Sequence, residues 1–341
     1  RSDLLSDFHG RDVFLQAAVT LPASYFADHE RRYPAIFEIP GFGGTHHHAV
    51  KVHQSTIDPT TGVEFLRVLL DPSCPLGHHV FADSDSNGPV NRALREELIP
   101  AFDREFRSVA KPQARFLTGH SSGGWSSLWI QMTAPDEFGG VWSTAPDPVD
   151  LRDFQRIDVY RPGENMYVDG RGDRRPLARI GGRVALWYDD FAWMEHVHGP
   201  GGQLHSFEAV FSERGPDGKP KLLFDRVTGE IDPQVAESWQ RYDIRMVLEQ
   251  NWAELGPKLS GKLHVFMGSE DTFYLDGATR LLKESLSRLG SDAVVEIHEG
   301  KDHSTLMSPD LVARIQREMA EEWLRQAASV DGAQLNGTRR R

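Results

Sequence analysis

The chain has 341 residues, 39% hydrophobic and 10% aromatic, so it can bury a large core within one elaborated domain. Its formal net charge of −12 at pH 7 argues against a nucleic-acid partner, because nucleic-acid affinity depends on dense lysine and arginine. Cys74 is the single cysteine, which excludes an intrachain disulfide and a cysteine-rich zinc site, and apolar stretches of strand length predict no membrane insertion.

Short apolar runs bounded by turn residues alternate with longer helical patterns, as is typical of a mostly parallel sheet covered by helices. In the first half, the predicted strands are 13–21, 34–39, 79–82 and 115–118, and the predicted helices are 90–106, which Pro100 should bend, and 122–132. In the second half, the predicted elements are a strand at 263–267, a helix at 277–289 closed by Gly290, a strand at 294–297 and a final helix from Pro309 to about Gln326.

The alternation breaks down between about 150 and 242, and we interpret this segment as a cap inserted into a single domain, 1–328. A hairpin is expected within it at 207–227, and 329–341 should be a disordered tail. Trp187, Tyr188, Phe191 and Trp193 cluster near the start of the cap and could line an apolar pocket or pack in the core. Our predicted substrate-pocket residues are His120, Trp187 and Trp193.

One pentapeptide, Gly119-His120-Ser121-Ser122-Gly123, fits the pattern G-x-S-x-G and lies between a predicted strand and a predicted helix. That context is the one in which the pattern forms a sharp turn that exposes a nucleophilic serine. The flanking glycines are needed because a side chain there would collide with the tightly reversed backbone. Ser121 is therefore the predicted nucleophile.

A serine hydroxyl needs a base to accept its proton and a carboxylate to orient that base. His303 follows the predicted strand 294–297, and Asp271 follows 263–267, so both fall at the carboxyl edge of the sheet. We predict His303 as the base and Asp271 as the acid, with Glu270 and Asp276 as rival acids.

An oxyanion hole requires two backbone N–H groups, one after the nucleophile and one from the loop after an early strand. Ser122 should supply the first. The glycine-rich loop 39–44 follows a predicted strand, and the N–H of Phe42, or alternatively of Gly43, should supply the second.

These motifs resemble those of the putative-esterase family, which includes esterase D, enterochelin esterases, feruloyl esterases and mycolyltransferases. The resemblance covers roughly 12–326 without much of the cap, and rests on the segments 40–44, 97–103, 119–124, 268–271 and 302–303. It implies an α/β-hydrolase fold with a sheet of about eight strands and metal-independent ester cleavage. The chain departs from the family pattern at Pro40, where many members carry histidine, and in its long cap.

Two histidine clusters, His46-His47-His48 and His196 with His198, invite a metal-binding interpretation. Three adjacent histidines cannot converge on one ion, and no carboxylate spacing completes a ligand set, so we predict neither a metal site nor another cofactor.

The sequence thus predicts a serine esterase that acts on a small-molecule or polymer-borne ester through an acyl-enzyme. The alternatives are an acyltransferase that uses the same residues and a catalytically silent ligand-binding homologue. Because the first residue is Arg1 rather than Met, we expect a processed or trimmed chain, and we favour a secreted or periplasmic location over a cytoplasmic one. No feature indicates an oligomeric state.

Overall fold

A computed structural model describes residues 1–50 and 55–338, with side chains described up to residue 328. Its strands are β1 (Ala17–Thr20), β2 (Ala35–Ile39), β3 (Leu66–Leu70), β4 (Ser73–Cys74), β5 (Gly77–His78), β6 (Arg115–His120), β7 (Gly140–Thr144), β8 (Pro176–Ile180), β9 (Arg183–Trp187), β10 (Leu263–Gly268) and β11 (Val294–His298). The α-helices are α1 (Asp3–His9), α2 (Val90–Ala93), α3 (Ile99–Glu105), α4 (Ser122–Thr133), α5 (Tyr188–His198), α6 (Gln203–Phe211), α7 (Pro233–Trp239), α8 (Ile244–Leu259), α9 (Asp276–Arg288) and α10 (Pro309–Thr338).

The main sheet has seven strands in the order β1-β3-β2-β6-β7-β10-β11. Only the edge strand β1 pairs in the antiparallel sense, and every other neighbouring pair is parallel. This sheet confirms the predicted α/β class, with one strand fewer than the eight or so expected. Because parallel strands end at the same edge, the loops after β2, β6, β7, β10 and β11 meet there.

Side chains that alternate along the strands fill two cores, one on each face of the sheet. Ile36 and Phe116 point to the face covered by the first half of α10, where Leu311 and Ile315 pack. The neighbouring residues on the same strands belong to the larger core on the other face, which α4, α8 and the cap cover. The sheet is therefore buried on both faces, which explains its nearly continuous apolar strands.

The cap, residues 150–242, contains the β8–β9 hairpin and helices α5, α6 and α7. Trp125 of α4 stacks on Trp129 at a ring-centroid distance of 5.2 Å and contacts Phe211 of α6 at 5.1 Å. Phe211 in turn contacts Trp239 and Tyr242. The cap thus shares one aromatic core with α4, the helix that directly follows Ser121.

Several elements differ from those predicted. Strands β3 and β7 were not predicted, whereas 79–82 is not a strand, because Val80 and Phe81 have φ values of 45° and 52° and turn the chain. The prediction of a hairpin at 207–227 is also wrong for its first residues. Helix α6 occupies 203–211 instead, since Leu204, Phe207 and Phe211 recur at helical spacing and are buried.

The predicted helix 90–106 forms as α2, a π-helical stretch at Leu94–Leu98 and then α3. Pro100 lacks the N–H of a regular helical hydrogen bond, and the π-helical stretch directly before it accommodates that loss. The last helix continues to Thr338, beyond the predicted end at about Gln326. The structure therefore differs from the expected disordered tail over 329–338, and 339–341 lie outside the described residues.

Among the helices of the described segments, none combines the length and the apolar character that crossing a membrane requires.

Candidate active site

The turn between β6 and α4 holds Ser121 in a strained conformation, with φ 60° and ψ −126°. Both flanking positions require glycine, because neither has room for a Cβ atom. A Cβ on Gly119 would lie 2.1 Å from the carbonyl oxygen of Gly123, and a Cβ on Gly123 would lie 1.9 Å from that of Ile39. No side chain fits at either position, so the strand-turn-helix context expected for the motif is present in full.

His303 and Asp271 form a buried hydrogen-bonded pair, with His303 Nδ1 2.7 Å from Asp271 Oδ2. Asp271 is fully buried, and its Oδ1 accepts hydrogen bonds from the backbone N–H groups of Phe273 and Leu275. These hydrogen bonds fix the orientation of the carboxyl group. Of the rival acids, Glu270 is exposed and Asp276 pairs with a cap arginine instead.

That cap arginine is Arg179, on β8. Its guanidinium donates to the main-chain oxygens of Asp271 at 2.9 Å and Ser269 at 3.4 Å, and to Asp276 Oδ1 at 3.0 Å. The cap therefore clamps the loop that carries Asp271. Sequence reasoning did not find Arg179, because its partners lie about ninety residues further along the chain.

His303 lies next to the turn that carries Ser121. Its ring is 4.6 Å, centroid to centroid, from that of His120, which directly precedes Ser121. Burial, together with the nearby His303, lowers the pKa of His120 to about 4, so His120 is neutral. His120 Nδ1 lies 3.1 Å from Thr144 Oγ1, whose own hydrogen goes to the carbonyl of Gly119, so Nδ1 carries the proton of His120.

The loop after β2 lies directly against Ser121. Gly44 N–H donates to the carbonyl of Gly41 at 2.9 Å, and Gly43 has a φ of 76°, which closes a tight turn around Phe42. A Cβ on Gly41 would lie 3.1 Å from Ser121 Cβ. The backbone of this loop is therefore close enough to serve an oxyanion formed at Ser121.

A buried histidine, His78, forms a hydrogen bond to the loop after β2. Burial lowers the pKa of His78 to about 4, so its ring is neutral. His78 Nδ1 accepts from the N–H of Val80, which leaves Nε2–H to donate to the carbonyl of Pro40 at 3.1 Å. His78 was not among the residues that the sequence indicated, because the segment around it was interpreted as the start of a strand.

A cavity of about 210 Å³ lies between the loop after β2 and the cap. Phe42, Phe273 and Asp147 are among its lining residues, and its remaining walls are mainly apolar cap side chains such as Phe191 and Leu186. The predicted pocket residues Trp187 and Trp193 are not part of this lining.

The two tryptophans lie elsewhere for geometric reasons. Trp193 is 55% exposed and stacks on His196, because it lies two residues after Phe191 and therefore on the opposite face of α5. Trp187 packs beneath the guanidinium of Arg174. His120 lines a separate crevice between the sheet and α10.

Asp147 is the titratable group at this site that the sequence did not indicate. It follows β7, a strand that was itself missed, and its backbone N–H lies 3.3 Å from the carbonyl oxygen of Ser121. The residue is 3% exposed, and its Oδ2 has no hydrogen-bond partner in the described part of the chain. Burial raises the pKa of Asp147 to about 6, with Ser122 and His303 acting in the opposite direction.

The histidine clusters take other partners. His46 Nδ1 bonds to Asp71, and its ring contacts that of His47 in a tilted arrangement. Thr45 N–H donates to His48 Nδ1 at 3.0 Å. Across the segments 1–50 and 55–338, no group of three or more His, Cys, Asp or Glu side chains is arranged to hold a metal ion.

A seven-stranded, mostly parallel sheet with its strained serine turn and His–Asp pair at the carboxyl edge defines the α/β-hydrolase fold. The chain belongs to the family described as Putative esterase, whose model matches residues 14–328, and it is a carboxylic-ester hydrolase.

Solved structures agree with the assigned fold. The chain is similar to a ferulic acid esterase (TM-score 0.59, 12% identity, 94% of this chain and 95% of that one) and to an S-formylglutathione hydrolase from Agrobacterium tumefaciens (TM-score 0.55, 15% identity, 91% and 90%). It is also similar to the fluorophosphonate-binding serine hydrolase FphF of Staphylococcus aureus (TM-score 0.52, 13% identity, 89% and 91%). At sequence identities this low, the similarity shows a shared fold and nothing more. Curated proteins provide no match.

The burial of Asp147 makes stability depend on pH. Since its pKa rises from 3.8 to about 6 on folding, ionisation opposes folding, and this cost grows as pH increases through that interval. Asp147→Asn should therefore raise the free energy of unfolding at both pH values, and this increase should be about 1 kcal/mol larger at pH 8 than at pH 5, as measured by urea unfolding. An equal effect at both pH values would contradict the cost of ionisation that burial imposes on this carboxylate.

Proposed function

We propose that the protein is a serine esterase in which Ser121 is the nucleophile, His303 the general base and Asp271 the acid of the triad. The observation that carries this proposal is the buried 2.7 Å bond between His303 and Asp271, beside a serine held at φ 60°. Such strain persists where the surrounding structure enforces it, and it is typical of a nucleophile turn.

In the first step, Ser121 Oγ attacks the ester carbonyl and transfers its proton to His303 Nε2. Nδ1–H of His303 donates to Asp271, which fixes the tautomer and offsets the imidazolium charge as it develops. His303 then gives the proton to the departing alcohol, and an acyl-enzyme on Ser121 remains. Water, activated by the same histidine, releases the acid.

The negative oxygen of each tetrahedral intermediate requires two aligned N–H donors. We assign these to Ser122, at the first turn of α4, and to Phe42, at the tip of the loop closed by the Gly41–Gly44 bond. The proximity of Gly41 to Ser121 and the anchoring of Pro40 by His78 support this assignment. The positive end of the α4 dipole acts in the same direction.

The substrate is a small-molecule or polymer-borne carboxylic ester. Part of it enters the cavity beneath the cap, which is larger than the roughly 150 Å³ that holds a benzene molecule. The similarity in fold to a ferulic acid esterase is compatible with an acyl group of this size. The mechanism uses neither a metal ion nor another cofactor.

Replacing Ser121 by alanine should lower kcat by about four to six orders of magnitude while leaving the fold intact, because only the hydroxyl is lost. The test is a panel of short-chain, long-chain, aromatic and polymeric esters assayed with both proteins, with far-UV circular dichroism as the control for folding. Near-normal turnover by the variant would contradict the nucleophile assignment. Preferential acyl transfer to an added alcohol would favour an acyltransferase.

The acid can be tested with two neighbouring carboxylates. Asp271→Asn should lower kcat by about four orders of magnitude, because the amide favours the wrong histidine tautomer and cannot balance the imidazolium. Glu270→Gln changes an exposed side chain in the same loop and should have an effect of less than about twofold. If the glutamate variant were the severe one, the acid would be Glu270.

A further inference from the structure

The cavity beneath the cap touches both sides of the reaction centre. Phe42, which belongs to the oxyanion loop, lines it, and so does Phe273, whose ring meets that of His303 edge-on at 5.0 Å. A substrate group that occupies this cavity is therefore attached close to the ester carbonyl. Most of the lining is aliphatic or aromatic, and its uncharged polar members are Gln155 and Gln203.

Asp147 is the charged side chain of this lining. It is nine-tenths buried or more, and none of the described residues forms a hydrogen bond to its Oδ2. Its backbone N–H lies 3.3 Å from the carbonyl of Ser121, so its place beside the nucleophile is fixed by the main chain. Both oxygens of a buried carboxylate normally accept hydrogen bonds, because leaving one of them without a donor is costly.

The position of this carboxylate also conflicts with simple ester hydrolysis. Ser122 forms a hydrogen bond with the Asp147 side chain, but Oδ2 is left without a donor from the described residues. The reaction develops negative charge in the adjacent oxyanion hole, and a carboxylate with such an oxygen nearby opposes that development. The pKa of Asp147, raised to about 6 by burial, leaves the group mostly ionised at neutral pH. A hydrogen-bond donor supplied by the substrate would remove both disadvantages.

We propose that the cavity binds an acyl group with a hydroxyl on a carbon close to the ester carbonyl, and that Asp147 accepts the hydrogen bond of this hydroxyl. Asp147 is then a specificity residue for hydroxyacyl esters. A hydroxyl suits this site better than an ammonium group does, because a cation would lose its hydration among mainly apolar walls. This inference rests on the proposed function, since it needs acyl transfer to Ser121.

The test compares 4-nitrophenyl esters of butyrate, 2-hydroxybutyrate, 3-hydroxybutyrate and 2-aminobutyrate. The wild type should favour at least one hydroxybutyrate over butyrate by about tenfold or more in kcat/KM, as expected for a hydrogen bond to a charged group. Asp147→Leu should abolish this preference and raise kcat/KM for butyrate several-fold. Asp147→Asn keeps an acceptor oxygen and should retain part of the preference.

Equal rates for butyrate and both hydroxybutyrates in the wild type would overturn the inference. So would a loss of the same size for every ester in Asp147→Leu, or a preference for the aminobutyrate. If the leucine variant does not fold, competitive inhibition of the wild type and Asp147→Asn by free hydroxybutyrate and butyrate provides the same comparison. The expected result is tighter binding of the hydroxy acid, reduced in the asparagine variant.

The design separates this inference from the proposed function. Hydrolysis of butyrate that disappears in Ser121→Ala, without any hydroxyl preference, contradicts the role of Asp147 alone. Absence of turnover of every ester in the wild type contradicts both. A second series, the butyrate esters of ethanol and of ethylene glycol, places the hydroxyl on the alcohol part of the ester instead. A hydroxyl preference seen only in this second series would overturn the assignment of the cavity to the acyl group.

Discussion

The close approach of α4 to strand β2 is the constraint on which the rest of the site depends. Gly123 lies so near the carbonyl of Ile39 that even a methyl group would overlap it, and Gly119 is equally confined by Gly123. With both neighbours fixed, the chain can reverse only by placing Ser121 at a positive φ. The same approach brings the loop after β2 against Ser121, so the serine and the oxyanion loop are positioned together.

His303 and Asp271 come from the other half of the sheet, and the cap contacts the loop that carries Asp271. Arg179 clamps the loop of Asp271, and two backbone N–H groups orient its carboxylate toward His303. The cap also shares an aromatic core with α4 through Trp125. The cap therefore supports both the loop of Asp271 and the helix that follows Ser121, which gives this long segment a structural role at the candidate site.

Sequence reasoning singled out residues that the structure brings together where a local pattern is tied to a fixed place in the fold. The G-x-S-x-G turn and the loops after two apolar strands identified Ser121, Asp271 and His303 as candidates, because parallel strands bring their following loops to one edge. It failed where the contact partner is distant or the element was missed. Asp147 was overlooked with β7, Arg179 depends on residues far along the chain, and the orientation of Trp193 depends on where α5 begins. The order of the elements was thus largely predictable, whereas the packing of the cap was not.

The central claim is that Ser121 acts as the nucleophile of a working triad. The most direct measurement is labelling of the native protein with a fluorophosphonate, followed by peptide mass spectrometry to locate the adduct. This account predicts one adduct per chain, on Ser121, and its loss in the Asp271→Asn protein on the same timescale, because the base is then disabled. An adduct on another residue, or no labelling of the folded wild type, would contradict it.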